Sequence, residues 1–165
     1  METFDYIYQT NYAAIFRLVS RFVGDEAAAA DIVQEVFIKF YRQMQANINI
    51  EFPKTYLSKM ATNECLNFLT RKRKHLSLED AKNLECNENV ENQIIKIETQ
   101  TLVQQAINHL KTKEQILLGL YSENFSYKEI SEISGVKFST VGKAVARALE
   151  KLKHILEHKK YEMSY

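Results

Sequence analysis

Apolar residues return every three or four positions along most of this chain, the period of an amphipathic helix. The first such stretch predicts a helix from about Phe4 to Val23, with Ile7, Tyr8, Tyr12, Ile15, Phe16, Val19 and Phe22 as its inward face. Gly24 suits a left-handed helix end, and Asp25 suits the cap of the next helix. A second helix follows from Glu26 to about Gln45, with Ile32, Val33, Val36, Phe37, Phe40 and Met44 facing inward. After a loop over residues 46–52, Pro53 opens a third helix, since a proline costs nothing in a first turn. That helix buries Leu57, Met60, Ala61 and Phe68 and ends in the run Arg71-Lys72-Arg73-Lys74-His75.

The pattern weakens over residues 76–98, which are rich in Asn and Glu, and this stretch reads as a flexible acidic linker. Helical period resumes after it. Over Ser126–Leu156 the pattern is a short helix, a tight turn at Ser134-Gly135-Val136 and a longer basic helix. Ile130 and Ile133 form the inward side of the short helix, with Tyr127 one turn earlier. Gly135 takes the left-handed turn, and Val136 plugs the gap between the helices. Ser139 is placed to cap the second helix, whose apolar stripe is Val141, Val145, Ala148, Leu149 and Leu152. Lys143, Arg147 and Lys151 share another face, at a spacing that suits phosphate contacts. This is a helix-turn-helix pattern, the arrangement that sets one helix into a DNA major groove. Two short helices with a solvated basic face give the same pattern without any DNA role.

Charge changes the picture more than composition does. The chain carries 22 Lys and Arg against 21 Asp and Glu, so it is no bulk polycation. The balance hides two mildly basic blocks around an acidic middle. Glycine and proline are scarce, which fits an all-α fold of two small helical domains, residues 1–75 and 99–165. Two cysteines, Cys65 and Cys86, are too few for a disulfide framework and lack zinc-site spacing. No signal peptide or membrane-length apolar run is visible. His75, His109, His154 and His158 are scattered. His154 and His158 stand one turn apart, but a solvated helix end explains them. No metal, cofactor or catalytic set is expected, so the chain reads as a cytoplasmic protein that is not an enzyme.

Two further groups invite partners. On the second helix, Asp31, Gln34, Glu35 and Ile38 share a face, with Arg42 one turn on. An isoleucine among polar acceptors there suggests a docking surface, although a merely solvated face has the same composition. Around the third helix, the cationic run 71–74 lies downstream of Phe52 and Tyr56. Cations with aromatics are the composition of a single-strand-binding surface; each aromatic taken alone also fits a core position.

At this point the chain resembles the sigma-70 family, and specifically its two-domain extracytoplasmic-function (ECF) subfamily. Residues 31–41, DIVQEVFIKFY, resemble the segment that binds core RNA polymerase. Residues 53–57 with 60–63 and the cluster 71–74 resemble the segments that recognise and open the −10 element. Leu110–Tyr121, then FSYKEI at 125–130, Ser139-Thr140-Val141 and Arg147-Ala148 resemble the −35-reading region. Tyr56 stands where the family usually has Trp, and Asn67 where it has Asp. An arginine common before the helix-turn-helix is Gln115 or Ile116 here. Gly142 lies in the first turn of the basic helix, where it removes a side chain that would face a base.

The resemblance implies roles. Asp31, Gln34, Glu35, Ile38 and Arg42 would dock on the β′ clamp helices of RNA polymerase, with the β flap as a second contact of the core. Asn47, Asn49, Phe52, Tyr56 and Asn63 would engage the −10 element, and Arg71, Lys72, Arg73 and Lys74 would hold its backbone. Lys137, Ser139, Thr140, Lys143 and Arg147 would face the −35 element. Promoter DNA and an anti-sigma factor are the other implied partners, the latter able to hold a cytoplasmic protein at a membrane. The competing reading is a conventional helix-turn-helix regulator that acts without polymerase.

Overall fold

A computed structural model describes residues 3–79 and 102–162. The fold is all-α, and α1 (Phe4–Val23) and α2 (Glu26–Gln45) occupy the spans their periodicity predicts. Their junction is set by two local devices. Gly24 takes a left-handed φ of 69° and ends α1. The Asp25 carboxylate accepts from the Ala28 N–H at 2.7 Å and starts α2, a cap worth about 1 kcal/mol. The third helix, α3 (Pro53–Glu79), starts at the proline but runs past His75. Residues 76–79, expected in the linker, therefore continue this helix; the rest of that linker lies outside the described residues.

The helices α1, α2 and α3 pack on one another as a three-helix unit. Val19, Val33, Val36, Phe40, Leu57 and Ala61 are fully buried between them. Each large side chain so buried contributes about 1.5–3 kcal/mol relative to exposure. Met44, Met60 and Phe68 pack at the margin of this core. Cys65 is also inside, and burial pushes its thiol up to about 12, which leaves it protonated and inert.

The second half holds α4 (residues 102–108), α5 (Thr112–Ser122), α6 (Tyr127–Ser134) and α7 (Phe138–Glu162). Ser126 and Glu129 form a reciprocal capping box at the start of α6. Gly135 has the left-handed φ of 71° that the tight turn requires. Ile130, Ile133, Val141 and Val145 are buried between α6 and α7, and Val136 packs against them. Gln115 is buried and donates its amide to the Ile107 and Leu110 carbonyls at 2.9 and 3.0 Å. This neutral side chain thus ties α4 to α5 by hydrogen bonds.

Further expectations fail in this half. Ser139 does not cap the last helix: α7 already opens at Phe138, and the Thr140 and Val141 N–H groups donate to the Lys137 carbonyl. Tyr127 is not inward but 45% exposed. Leu149 is likewise exposed, because α5 and α6 cover only the side of α7 that carries Val141, Val145 and Ala148. Lys151 leaves the basic face to pair with Glu114 of α5.

The two halves touch through α1 with α5 and α3 with α6. Glu123 accepts from Arg17 at 3.1 Å and from Arg21 at 2.8 Å. Lys54 lies 4.6 Å over the Phe125 ring, and Thr55 donates to Glu129 at 3.4 Å. Gly119 faces Phe22 so closely that a Cβ there would stand 2.6 Å from the ring. Thr55, Ser58 and Thr62 repeat at helical spacing along α3 and are all buried, and the Ser58 and Thr62 hydroxyls have no hydrogen-bond partner. Unpartnered buried hydroxyls cost free energy, so this face of α3 is poorly suited to burial.

Candidate functional site

Three exposed faces carry the residues singled out from the sequence. The first is on α2. Asp31, Gln34, Glu35, Ile38 and Arg42 are all exposed on one side of that helix, and Ile38 is 43% exposed. Gln34, Ile38 and Arg42 border a groove of about 640 Å³ whose other wall is aromatic. Phe4 stands 5.0 Å from Tyr41, and Tyr8 stands 4.8 Å from Phe37 and 5.2 Å from Tyr12, centroid to centroid. Tyr8 is therefore a half-exposed groove wall, where periodicity had placed it in the core. The sequence pattern marks Phe4 only as a helix start and Tyr41 only as the end of the segment 31–41, neither as a groove wall. Their signal was present: aromatics at 4, 8 and 12 and at 37 and 41 recur one helical turn apart.

Charge on this face is pre-arranged. Lys39 bridges Glu35 at 2.8 Å and Glu64 of α3 at 2.6 Å. The Lys39 ammonium donates to Glu35 and holds that carboxyl below its usual range. Glu35 in turn raises Lys39, with Glu64 adding to it. Glu35 is thus turned along its own helix, while Asp31 and Arg42 remain at the rim of the face.

The second face joins the loop after α2 to α3. Asn47 has a left-handed φ of 55°, a conformation Asn tolerates better than most residues. Asn47, Asn49 and Phe52 are exposed, Phe52 by 64%. Beside Asn49 is a recess of about 300 Å³ lined by Ile7, Phe40, Met44, Ile48, Ile50, Glu51 and Pro53. Tyr56 is half-buried, its ring 6.2 Å from Phe40. Asn63 is exposed two turns further along α3, and Arg71 and Lys72 are exposed beyond it. The side chains of Arg73 and Lys74 lie outside the described residues.

The third face belongs to α7. Lys137, Ser139, Thr140, Lys143 and Arg147 are all exposed, and no acidic residue stands in the first turn. The fit of α6 against α7 explains Gly142. A Cβ there would lie 3.3 Å from the Tyr127 ring, so the tyrosine of α6 occupies the space a longer side chain would take. Phe138, 64% exposed at the first position of α7, went unremarked in the sequence because its neighbours are the cations. Glu114 and Glu129 support this half from behind. Hydrogen bonds from Lys151 and from Ser126 respectively hold their carboxyls below the usual range.

His109, His154 and His158 line one shallow recess between α4 and α7. Among the described residues no three His, Cys, Asp or Glu stand in position to hold a metal ion. No described helix is long and apolar enough to cross a membrane.

Known proteins share this layout. The profile of Sigma-70 region 2 matches residues 7–75, and that of Sigma-70 region 4 matches residues 100–152. The chain belongs to the sigma-70 family. Its relatives place it in the ECF subfamily. It is 27% identical over 139 residues to the ECF RNA polymerase sigma-E factor of Haemophilus influenzae, covering 77% of this chain and 74% of that one. It is 28% identical over 152 residues to the ECF RNA polymerase sigma factor SigW of Bacillus subtilis, covering 84% and 81%. Its fold resembles that of the sigma factor RpoE from Bartonella quintana, solved in complex with the anti-sigma factor NepR. The TM-score is 0.71 at 19% identity, over 91% of this chain and 94% of that one. Sigma factors are transcription initiation factors, and this chain is an ECF-type sigma factor.

Proposed function

We propose that the chain divides this work between a first half, which runs to the end of α3 at Glu79, and residues 99–165, with the linker beginning after α3. The α2 face docks on the β′ clamp helices of core RNA polymerase. Ile38 is its apolar anchor and Asp31, Gln34, Glu35 and Arg42 set the register, as apolar centres and polar rims do at interfaces. Asn47, Asn49, Phe52, Tyr56 and Asn63 engage the −10 element. Its opening requires a base to leave the stack at a cost of a few kcal/mol, which stacking and hydrogen bonds at the recess beside Asn49 would offset. Arg71, Lys72, Arg73 and Lys74 hold the strand's phosphates. Lys137, Ser139, Thr140, Lys143 and Arg147 read the −35 element, while the second half meets the β flap. The chain has no catalytic role of its own. It works in the cytoplasm under control of an anti-sigma factor, which is able to hold it at a membrane.

The observation that supports this reading is that the described residues of the three faces lie at the surface of one chain, Tyr56 alone half-buried among them. Run-off transcription with purified core polymerase on a library of promoter-like templates tests it. Specific transcripts should appear only when the protein is added. Tight duplex binding by the protein alone, with no transcripts, would instead identify a conventional regulator.

A further inference from the structure

Phe138 is, with Phe52, the most exposed large apolar side chain described, at 64%. It is the first residue of α7, and the N-terminal residues of such a helix are those that reach base edges. Its surroundings decide what it meets. One turn on, where residues i and i+4 are neighbours, stands Gly142, and the half-exposed Tyr127 ring fills that space. Two aromatic rings therefore occupy successive turns along one flank of the helix. Lys137 and Ser139 flank Phe138 along the chain and Thr140 and Lys143 follow within about a turn, all exposed, and the first turn has no carboxylate. An exposed apolar side chain among cations and hydroxyls, in a helix turn with no acid, matches a polyanion that carries an apolar group. In the major groove that group is the 5-methyl of thymine.

We propose that Phe138 is a specificity-determining residue that packs on a thymine methyl in the upstream promoter element, with Tyr127 walling the contact where Gly142 leaves room. The inference rests on the reading of α7 as the −35 reader. It adds an apolar contact to a set of residues that were all polar or cationic.

The test uses holoenzyme, reconstituted from core polymerase and the full chain, to select −35 sequences from a randomised promoter library. Wild type, Phe138→Ala and Lys143→Ala with Arg147→Ala are run side by side. Wild type should enrich a thymine at one position, and Phe138→Ala should lose that preference alone. Replacing that thymine by uracil, which lacks only the methyl, should weaken wild-type binding roughly fourfold, the value of one buried methyl group. The same replacement should leave Phe138→Ala unaffected. An unchanged preference and an unchanged uracil effect in Phe138→Ala would overturn the inference. So would weaker core binding with base preference intact, which would assign Phe138 to a protein contact. If Lys143→Ala with Arg147→Ala shifts the selected sequence and Phe138→Ala does not, only this inference falls. If neither variant shifts it, the reading of α7 falls as well.

Discussion

The two halves of this molecule expose different chemistry because they are held together differently. In the first half three long helices enclose a continuous core around Val33, Phe40 and Leu57. Its outer face can therefore carry an apolar residue, Ile38, and an aromatic groove without loss of the fold. That core runs on into the second half through Leu117, Leu120, Ile130 and Val141, where α4, α5 and α6 are short and only α7 is long, and the short helices lean on polar devices. These are the Ser126–Glu129 box, the buried Gln115 amide and the Glu114–Lys151 pair. The outer face of this half is cationic. An apolar face with few, oriented charges suits a protein partner, whereas a cationic face on a helix whose first turn carries no acid suits phosphate. On the proposed reading, the α2 face of the first half meets protein and the α7 face of the second half meets duplex DNA.

The largest expected effect comes from the core of the first half. Phe40→Ala should cost about 3–5 kcal/mol, read as a fall in thermal midpoint. Because α1 and α3 also bear on α5 and α6, that variant should lower the midpoint of the second half too. A second half that melts unchanged would mean that the halves fold independently.

Next is the split between holding and opening DNA. Arg71→Ala with Lys72→Ala should lower promoter opening by about thirtyfold, with each of the two phosphate contacts worth about 1 kcal/mol. Permanganate reactivity of the −10 strand would measure it, and core affinity should stay within twofold. Loss of core binding instead would merge the two surfaces that the structure keeps apart.

The junction predicts a smaller change. Gly119→Ala would favour α5 by about 1 kcal/mol through helix propensity. The added Cβ collides with Phe22, however, and overpacking costs about 1–3 kcal/mol. The expected result is a net loss with the two halves further apart, visible as a larger radius in small-angle scattering. An unchanged radius and a higher midpoint would show that Phe22 moves aside freely.

Acid gives the mildest contrast. Glu35, Glu114 and Glu129 all have lowered carboxyl pKa values. A depressed carboxyl stabilises the fold above its unfolded pKa, and that contribution is lost as pH falls through the folded value. Titration from pH 6 down through the range below 4.5 should thus loosen the second half first, where two of these groups brace helix starts and packing. Glu129→Gln should flatten that pH dependence in a helicity titration; an unaltered slope would remove Glu129 from the account.

Much of this was legible in the sequence, and what was legible was local. The limits of α1 and α2 follow from period and from Gly24 and Asp25. The turn at Gly135 and the start of α3 at Pro53 are equally local. Exposure of the α2 face also followed, since Ile38 sits opposite Val33, Val36 and Phe40. What was missed depends on distant partners. Tyr127 lies outside because Gly142 makes room for it. Lys151 leaves the basic face because Glu114 is within reach. Tyr8 lines a groove because α2 supplies Phe37 and Tyr41 across from it. The junction pairs Arg17 and Arg21 with Glu123, about a hundred residues away, and no periodicity reports that.

The division of labour between the halves is tested most directly by measuring two quantities on two variants. The variants are Gln34→Ala with Ile38→Asp on α2 and Lys143→Ala with Arg147→Ala on α7. The quantities are affinity for core polymerase and the −35 sequence preference of the holoenzyme. The α2 variant should lose at least about tenfold in core affinity, as expected for a truncated interface anchor, while the holoenzyme that still forms keeps its preference. The α7 variant should bind core normally and lose the preference. Equal loss of both quantities in both variants would contradict the account.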